Sequence, residues 1–258
     1  MIVDSGAMAG GRAVLVTGAS RGIGAAVARA FAAAGDRVAV HYGSSRAAAE
    51  ATLASLPGRR HVLVGADLAD PDAVRHMVDR AALALDGIDV LVNNAAVYLE
   101  NDITGSSYER WQHAWRSTLG VNLVGAANVT WCAVRHMLAR GRGRVVNVSS
   151  RGAFRGEPAH LAYGASKAGL NAFGQSLARA LGPHGIAVAT VAPGFVDTDM
   201  AAAVLAGARG DEIRAESPFG RVATPEEVAG AVLFLASPQA EFASGTILDL
   251  NGASYLRT

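Results

Sequence analysis

The chain has 258 residues, 51% of them hydrophobic, and a formal net charge of +1 at pH 7. This length and apolar content suit one large α/β domain, while the low charge and scattered arginines predict no nucleic-acid partner. The single cysteine, Cys132, excludes an internal disulfide, and no signal or membrane-spanning pattern is present, so we expect a cytoplasmic protein without membrane association.

Short β-branched runs alternate with alanine-rich segments of helical period, from which we expect a tail over residues 1–11 and one domain over residues 12–258. The predicted strands cover residues 13–17, 37–42, 61–65, 90–93, 144–149, 187–192 and 246–250. The predicted helices cover residues 22–34, 45–56, 71–85, 107–138, 162–181 and 225–236. This alternation predicts a Rossmann-type, doubly wound parallel sheet of seven strands with helices on both faces, which binds ligands at the carboxyl ends of its strands.

A glycine-rich turn follows the first predicted strand and leads directly into a helix. Glycines at this place allow a tight turn and let a pyrophosphate approach the helix N-terminus. The spacing Gly-x-x-x-Gly-x-Gly lacks the Gly-Lys-Ser/Thr of a nucleoside-triphosphatase loop, which excludes that class. We therefore predict a dinucleotide cofactor whose contacts in this turn are Gly18, Ser20, Arg21, Gly22, Ile23 and Gly24.

The end of the second predicted strand indicates which nicotinamide cofactor is bound. A site for NAD(H) usually places an acid roughly 20 residues beyond the glycines, but no acid lies between Asp36 and Glu50. The segment instead offers hydroxyls and a cation at Tyr42, Ser44, Ser45 and Arg46, with a second cation at Arg21. This pattern favours the 2′-phosphate of NADP(H), and the alternative is that Arg46 simply faces solvent.

Tyr163 and Lys167 lie four residues apart in a predicted helix, so they share one helical face. A free phenol loses its proton near pH 10 and is a poor acid or base at neutral pH. A neighbouring ammonium lowers that pKa, as general acid–base catalysis requires. The pair therefore predicts a proton-transfer site, although the same spacing also occurs on solvated helix faces.

Several motifs, in order and at matching spacing, make the chain resemble the short-chain dehydrogenase/reductases from about Arg12 to Tyr255. The glycine turn resembles that family's cofactor loop, and Ala96 replaces the last glycine of its Asn-Asn-Ala-Gly strand end. The resemblance implies a catalytic tetrad of Asn122, Ser150, Tyr163 and Lys167. It also implies cofactor contacts at Asp67, Leu68, Asn94, Ala95, Tyr163, Lys167, Pro193, Gly194, Val196 and Thr198.

The resemblance implies reversible, NADPH-dependent reduction of a carbonyl to an alcohol. Ser150 is expected to polarise the carbonyl and Tyr163 to deliver the proton, while Lys167 lowers the tyrosine pKa and holds the nicotinamide ribose. Asn122 is expected to hold a water linked to Lys167. A non-catalytic, cofactor-binding regulator on the same fold is the alternative, and the complete tetrad argues against it.

The substrate is less constrained by the sequence. A lid near residues 198–213 carries apolar side chains, and the surrounding sequence is most similar to 3-oxoacyl-[acyl-carrier-protein] reductases. Gly141 and His184 stand where those enzymes present basic residues to their carrier, although Arg140 and Arg142 flank the first position. We therefore expect either a carrier-bound 3-oxoacyl thioester or another small ketone, quinone, keto sugar or secondary alcohol.

The resemblance further implies a homotetramer with two-fold axes. The predicted helix over residues 107–138 has apolar residues on more than one face, as an interface helix requires: Trp111, Trp115, Val121, Leu123, Val124 and Trp131. The seven histidines show no metal-ligand spacing, so no metal is predicted.

Overall fold

A computed structural model describes residues 11–257, and most of the predicted N-terminal tail lies outside these residues. In the described range, seven strands form one parallel sheet in the order β3-β2-β1-β4-β5-β6-β7. The strands are β1 (Ala13–Val16), β2 (Arg37–Tyr42), β3 (Val62–Gly65), β4 (Val90–Asn93), β5 (Gly143–Val148), β6 (Ile186–Pro193) and β7 (Ile247–Leu250). The predicted doubly wound parallel sheet is confirmed.

Helices cover both faces of this sheet. They are α1 (Gly22–Ala33), α2 (Arg46–Ala54), α3 (Pro71–Leu85), α4 (Tyr108–Leu119), α5 (Ala126–Leu138), α6 (Gly152–Arg155), α7 (Leu161–Leu181), α8 (Asp199–Ala206), α9 (Gly210–Ala215) and α10 (Pro225–Leu235). Within residues 11–257, none of the helices combines the length and the hydropathy that crossing a bilayer requires.

Side chains of the central strands alternate between two hydrophobic cores. In β1, Val14 and Val16 pack beneath α1 and α10, whereas Ala13 and Leu15 face α3 and α5. All four side chains are fully buried. Burial on both faces explains why the predicted strands show continuous apolar runs instead of alternation with polar residues.

Two helices begin where their capping residues predict. Asp70 accepts hydrogen bonds from the first turn of α3, and Thr224 forms a reciprocal capping box with Glu227 at the start of α10. A proline follows each capping residue and occupies a first-turn position, where its missing N–H is not needed.

The predicted helix over residues 107–138 is interrupted in the structure. Between α4 and α5 lies a π-helical turn, Gly120–Gly125, in which Asn122 is buried. A Cβ at Gly125 would lie 2.6 Å from the main-chain oxygen of Leu68, so the backbone there packs directly against the segment after β3. This wider turn is the type of irregularity that often accompanies functional sites.

The segment over residues 198–213, predicted as a lid, forms two helices, α8 and α9. Gly207 ends α8 with extended backbone, and the chain turns again before α9. At Gly210 a Cβ would lie 2.0 Å from the main-chain oxygen of Leu205, so only glycine fits this turn. The two short helices lie over the carboxyl ends of the strands, where a large cleft opens.

Candidate active site

A cleft of about 1740 Å³ runs along the carboxyl edge of the sheet. Typical small-molecule pockets measure roughly 300–1,000 Å³, so this cleft has room for a dinucleotide together with a substrate. It crosses the switch point of the sheet between β1 and β4, where the strand order reverses. Its lining includes both Gly18, after β1, and Tyr163, on α7.

The glycine loop is held in a shape that excludes side chains. Gly18 has a φ of +62°, and a Cβ there would lie 2.7 Å from Cα of Ala95. A Cβ at Gly24 would lie 2.2 Å from the main-chain oxygen of Gly18. Asn94 supports the loop, because its Nδ2 donates to the main-chain oxygens of Thr17 and Gly18 at 2.9 and 3.0 Å.

The N-terminus of α1 faces this loop without a side-chain cap. Arg21 stands at the capping position, where its guanidinium has no acceptor atom to offer the first N–H groups, and the first turn contains no acid. The first N–H groups of a helix need partners, and they favour an anion. This part of the cleft therefore fits the pyrophosphate of a dinucleotide.

The structure brings only part of the predicted 2′-phosphate site into the cleft. Ser44, Ser45 and Arg21 line it, whereas Tyr42 and Arg46 do not. Nε of Arg46 lies 2.8 Å from Oε1 of Glu50, one turn later on α2, and both side chains are largely exposed. The structure thus places Arg46 in a surface ion pair.

His41, which the sequence analysis did not identify, links the loop to the next strand. The N–H of Gly18 donates to Nδ1 of His41 at 3.0 Å, and Nε2 lies 3.1 Å from the main-chain oxygen of Ala66. These partners require a neutral ring with its proton on Nε2. Burial agrees with this state, because it lowers the His41 pKa to about 4 despite the opposing bond to Ala66.

Ser150, Tyr163 and Lys167 all line the cleft. Ser150 follows β5 and hydrogen-bonds to Tyr163. Nζ of Lys167 donates to the main-chain oxygen of Val148 at 2.8 Å and lies 5.6 Å from the centre of the Tyr163 ring. The spacing of four residues on α7 therefore places the amine beside the phenol, at the ends of the central strands.

Burial shifts the pKa values of both Tyr163 and Lys167, and the direction at Tyr163 differs from the sequence-based expectation. It raises the pKa of Tyr163 to about 12, while the hydrogen bond from Ser150 acts in the opposite direction and Glu157 reinforces the rise. Burial also lowers the pKa of Lys167 to about 8. The net shift at Tyr163 is therefore upward and not downward as expected, because desolvation of the phenol is the largest effect.

Asn122 lies behind this site and does not line the cleft. Its Oδ1 accepts from the N–H of Val97 at 2.8 Å, and its Nδ2 donates to the main-chain oxygen of Val97 at 3.0 Å. Nδ2 also lies 3.2 Å from Oγ of Ser166, on the helix that carries the tyrosine and lysine. The side chain therefore joins the π-helical turn to the segment after β4 and to α7.

The remaining predicted contacts line the cleft, and they come from three further strand ends: Asp67, Leu68, Asn94, Ala95, Pro193, Gly194, Val196 and Thr198. Aromatic residues that the sequence analysis missed stand beside the phenol. Tyr98 stacks on His160 with ring centres 3.6 Å apart, and it meets Tyr163 edge-on at 4.7 Å. Met200 and Val204 of the lid are apolar lining residues that remain partly exposed.

Comparison with known proteins identifies the family. The sequence model described as Enoyl-(Acyl carrier protein) reductase matches residues 18–252. A short chain dehydrogenase from Burkholderia cenocepacia J2315, solved in complex with NADP, is 39% identical with a TM-score of 0.86. That match covers 95% of this chain and 98% of the other. The chain belongs to the short-chain dehydrogenase/reductase family.

Characterised relatives of this short-chain dehydrogenase/reductase act on different compounds. The 3-oxoacyl-[acyl-carrier-protein] reductase FabG of Aquifex aeolicus is 36% identical over 95% of this chain and 98% of its own length. The cis-4-hydroxycyclohexanecarboxylate dehydrogenase of Sinomonas cyclohexanicum is 39% identical over 93% of this chain and 95% of its own length. Membership of the family therefore leaves the substrate to be argued from the site.

Proposed function

We propose that this protein is an NADP(H)-dependent oxidoreductase that reversibly reduces a carbonyl compound to an alcohol. The observation that carries the proposal is the convergence of Ser150, Tyr163 and Lys167 in one cleft with the glycine loop and the uncapped start of α1. A regulator that only bound the cofactor would not need a hydroxyl, a phenol and a buried amine at this place.

Residues that line the cleft would contact each part of the cofactor. The glycine loop and α1 would hold the pyrophosphate, and Ser44, Ser45 and Arg21 would hold the 2′-phosphate. When bound, the nicotinamide supplies the hydride that reduces the carbonyl carbon. The segments that include Gly194 and Thr198 would position its ring beside Tyr163.

The polar side chains have distinct roles in this proposal. The Ser150 hydroxyl donates a hydrogen bond to the carbonyl oxygen and stabilises the charge that develops there. Tyr163 delivers the proton, because its phenol is protonated at neutral pH. Lys167 holds the nicotinamide ribose hydroxyls. We assign Asn122 a role in positioning the water and main chain behind Lys167.

A 3-oxoacyl thioester is our leading substrate, because the relatives named above include 3-oxoacyl-[acyl-carrier-protein] reductases. Carrier docking through Arg140 has weak support, since its Nη1 lies 3.0 Å from Oδ1 of Asp89 and its Nη2 donates to the main-chain oxygen of Asp86. A cyclic ketone or secondary alcohol is the second candidate. The Tyr98–His160 stack beside the phenol favours it, because flat aromatic walls suit a compact ring.

We further propose a homotetramer in the cytoplasm. Val124 and Trp131 belong to the predicted interface segment, and they are 54% and 65% exposed. Exposed apolar residues on one helical segment suit a symmetric contact with another copy. Light scattering at micromolar concentration tests this assembly, and a monomer alone would contradict it.

The test of function is a panel assay of NADPH oxidation with a 3-oxoacyl thioester, cyclic ketones, quinones and keto sugars. Turnover of at least one carbonyl compound supports the enzyme proposal, and the best substrate decides between the two candidates. Binding of NADPH without oxidation by any compound in the panel would favour the regulator instead.

A further inference from the structure

Arg151, the residue after Ser150, is buried at the junction of several segments around the carbonyl site, and it is only 3% exposed. Its N–H donates to the main-chain oxygen of Pro193 at 2.8 Å. Its Nη1 donates to Oγ of Ser254 at 2.5 Å, and its guanidinium carbon lies 5.1 Å from the centre of the Phe195 ring. The guanidinium is therefore fixed against both the end of β6 and the C-terminal segment.

The carboxylate partner of Arg151 lies immediately after the lid helices. Glu216 directly follows α9, and its Oε2 lies 2.5 Å from Nη2 of Arg151 and 2.9 Å from Nη1 of Arg155. Burial opposes ionisation of Glu216, but the bonds from both arginines outweigh it, so its pKa is lowered. The next residue, Ser217, donates to the main-chain oxygen of Gly252 at 2.8 Å.

We propose that the Arg151–Glu216 ion pair is a clamp that positions the lid over the carbonyl pocket. This inference rests on the proposed function and adds a positioning residue to it. Arg151 is bonded covalently to Ser150, and Glu216 lies three residues after Ile213, a buried lid residue that lines the cleft. The ion pair therefore fixes the distance between Ser150, which binds the carbonyl oxygen, and the part of the lid that contains Ile213.

Removal of either residue leaves the other charge buried without a partner, which is energetically costly. We therefore expect each substitution to free the lid from its position over the carbonyl pocket. In Glu216→Gln we expect KM for the carbonyl substrate to rise roughly tenfold, while Kd for NADPH stays within about twofold. Backbone amides of residues 199–215 should exchange roughly tenfold faster with solvent in the same variant.

The Arg12–Asp36 pair provides a matched control at the opposite edge of the sheet. Nη2 of Arg12 lies 2.6 Å from Oδ2 of Asp36, its Nη1 donates to the main-chain oxygen of Ala236, and its guanidinium carbon lies 5.4 Å from the Phe31 ring centre. Asp36→Asn therefore removes a comparably buried pair. It should lower Tm but leave KM and the lid exchange rates unchanged.

A double-mutant cycle isolates the pair itself. The effects of Arg151→Gln and Glu216→Gln on the exchange rates of the lid amides should be non-additive. Exchange in the double variant should be no faster than in the single variant that has the larger effect. If Glu216→Gln does not fold, Arg151→Lys is used in its place. This variant keeps the positive charge but loses the forked geometry of the guanidinium, so KM should rise by a smaller factor.

The clamp is refuted if lid exchange and KM in Glu216→Gln match the wild type, or if Asp36→Asn changes them equally. Failure of the proposed function looks different, because the wild type would then oxidise no NADPH with any carbonyl compound. Lid exchange would still report on the clamp in that case.

Discussion

The ammonium nitrogen of Lys167 lies 5.6 Å from the centre of the Tyr163 ring, one helical turn away on α7. Lys167 is only 2% exposed, and its hydrogen bond goes to a main-chain carbonyl instead of a carboxylate. The positive charge of Lys167 therefore lies in the protein interior, where desolvation destabilises it. Two predictions follow from that arrangement.

The pKa of Lys167 can be measured directly, because it is the only lysine in the sequence. Protein labelled with ¹⁵N-lysine should give one side-chain amine resonance in the NMR spectrum. Since burial lowers the pKa, we expect this resonance to titrate near pH 8. A midpoint near the ordinary value of 10.5 would show that the amine is well solvated or paired.

Replacing Lys167 with methionine should stabilise the protein at pH 7 while abolishing most activity. The folded pKa of about 8 lies below the ordinary 10.5, so the unfolded chain binds more protons between these values and wild-type stability rises with pH. At about 1.36 kcal/mol per pKa unit, this 2.5-unit difference corresponds to about 3 kcal/mol at pH 7. In urea unfolding, the advantage of Lys167→Met should shrink from pH 8 to pH 10.5. A variant less stable than wild type at pH 7 contradicts this.

Arg21 should determine the preference for NADPH more than Arg46 does. Arg21 lines the cleft, whereas Arg46 would first have to leave its ion pair with Glu50. A hydrogen bond to a charged group contributes about 1.5–3 kcal/mol, so Arg21→Gln should reduce the ratio of NADPH to NADH efficiency by at least about tenfold. Arg46→Gln is the matched comparison. A larger loss in Arg46→Gln would mean that this arginine turns into the cleft when the cofactor binds.

His41→Leu should weaken NADPH binding and lower the free energy of unfolding by about 1–3 kcal/mol, because it leaves two buried backbone groups unpaired. His41→Asn should recover part of both, since an amide can accept from Gly18 and donate to Ala66. The folded pKa of about 4 lies below the ordinary 6.5, so wild-type stability is lost as pH falls from 6.5 to 4. The asparagine variant should lose less stability over that range. If the wild type and His41→Asn lost equal stability as the pH falls, His41 would be excluded as the source of the acid sensitivity.

Features that depend on local sequence were predicted closely. Helix α3 spans Pro71–Leu85, as its Asp-Pro start and apolar period indicate, and the glycine loop follows β1. Ser150, Tyr163 and Lys167 also lie in one cleft, as the resemblance implies, because Ser150 follows β5 and α7 packs beside that strand end. For α3, the glycine loop and the Tyr163–Lys167 pair, a capping residue, a period or a spacing along the chain is sufficient, whereas Ser150 was placed by the resemblance.

Features that depend on contacts between distant segments were not predictable. The bond from Gly18 to His41 joins two strands, and the ion pair of Arg151 with Glu216 joins residues 65 positions apart. The π-helical turn at Asn122 likewise depends on its bonds to Val97 and on close packing of the neighbouring backbone. No periodicity in the sequence encodes such pairings, since each partner alone is also compatible with a surface or turn position.

The most direct test of the account compares NADPH oxidation by the wild type and Tyr163→Phe with the best carbonyl substrate of the panel. The phenylalanine retains the ring that meets Tyr98 and removes only the hydroxyl group that carries the transferable proton. We expect unchanged NADPH binding and a fall in kcat of about 10²–10⁴-fold, the usual contribution of general acid–base catalysis. Near-normal kcat in Tyr163→Phe would contradict the proposed mechanism.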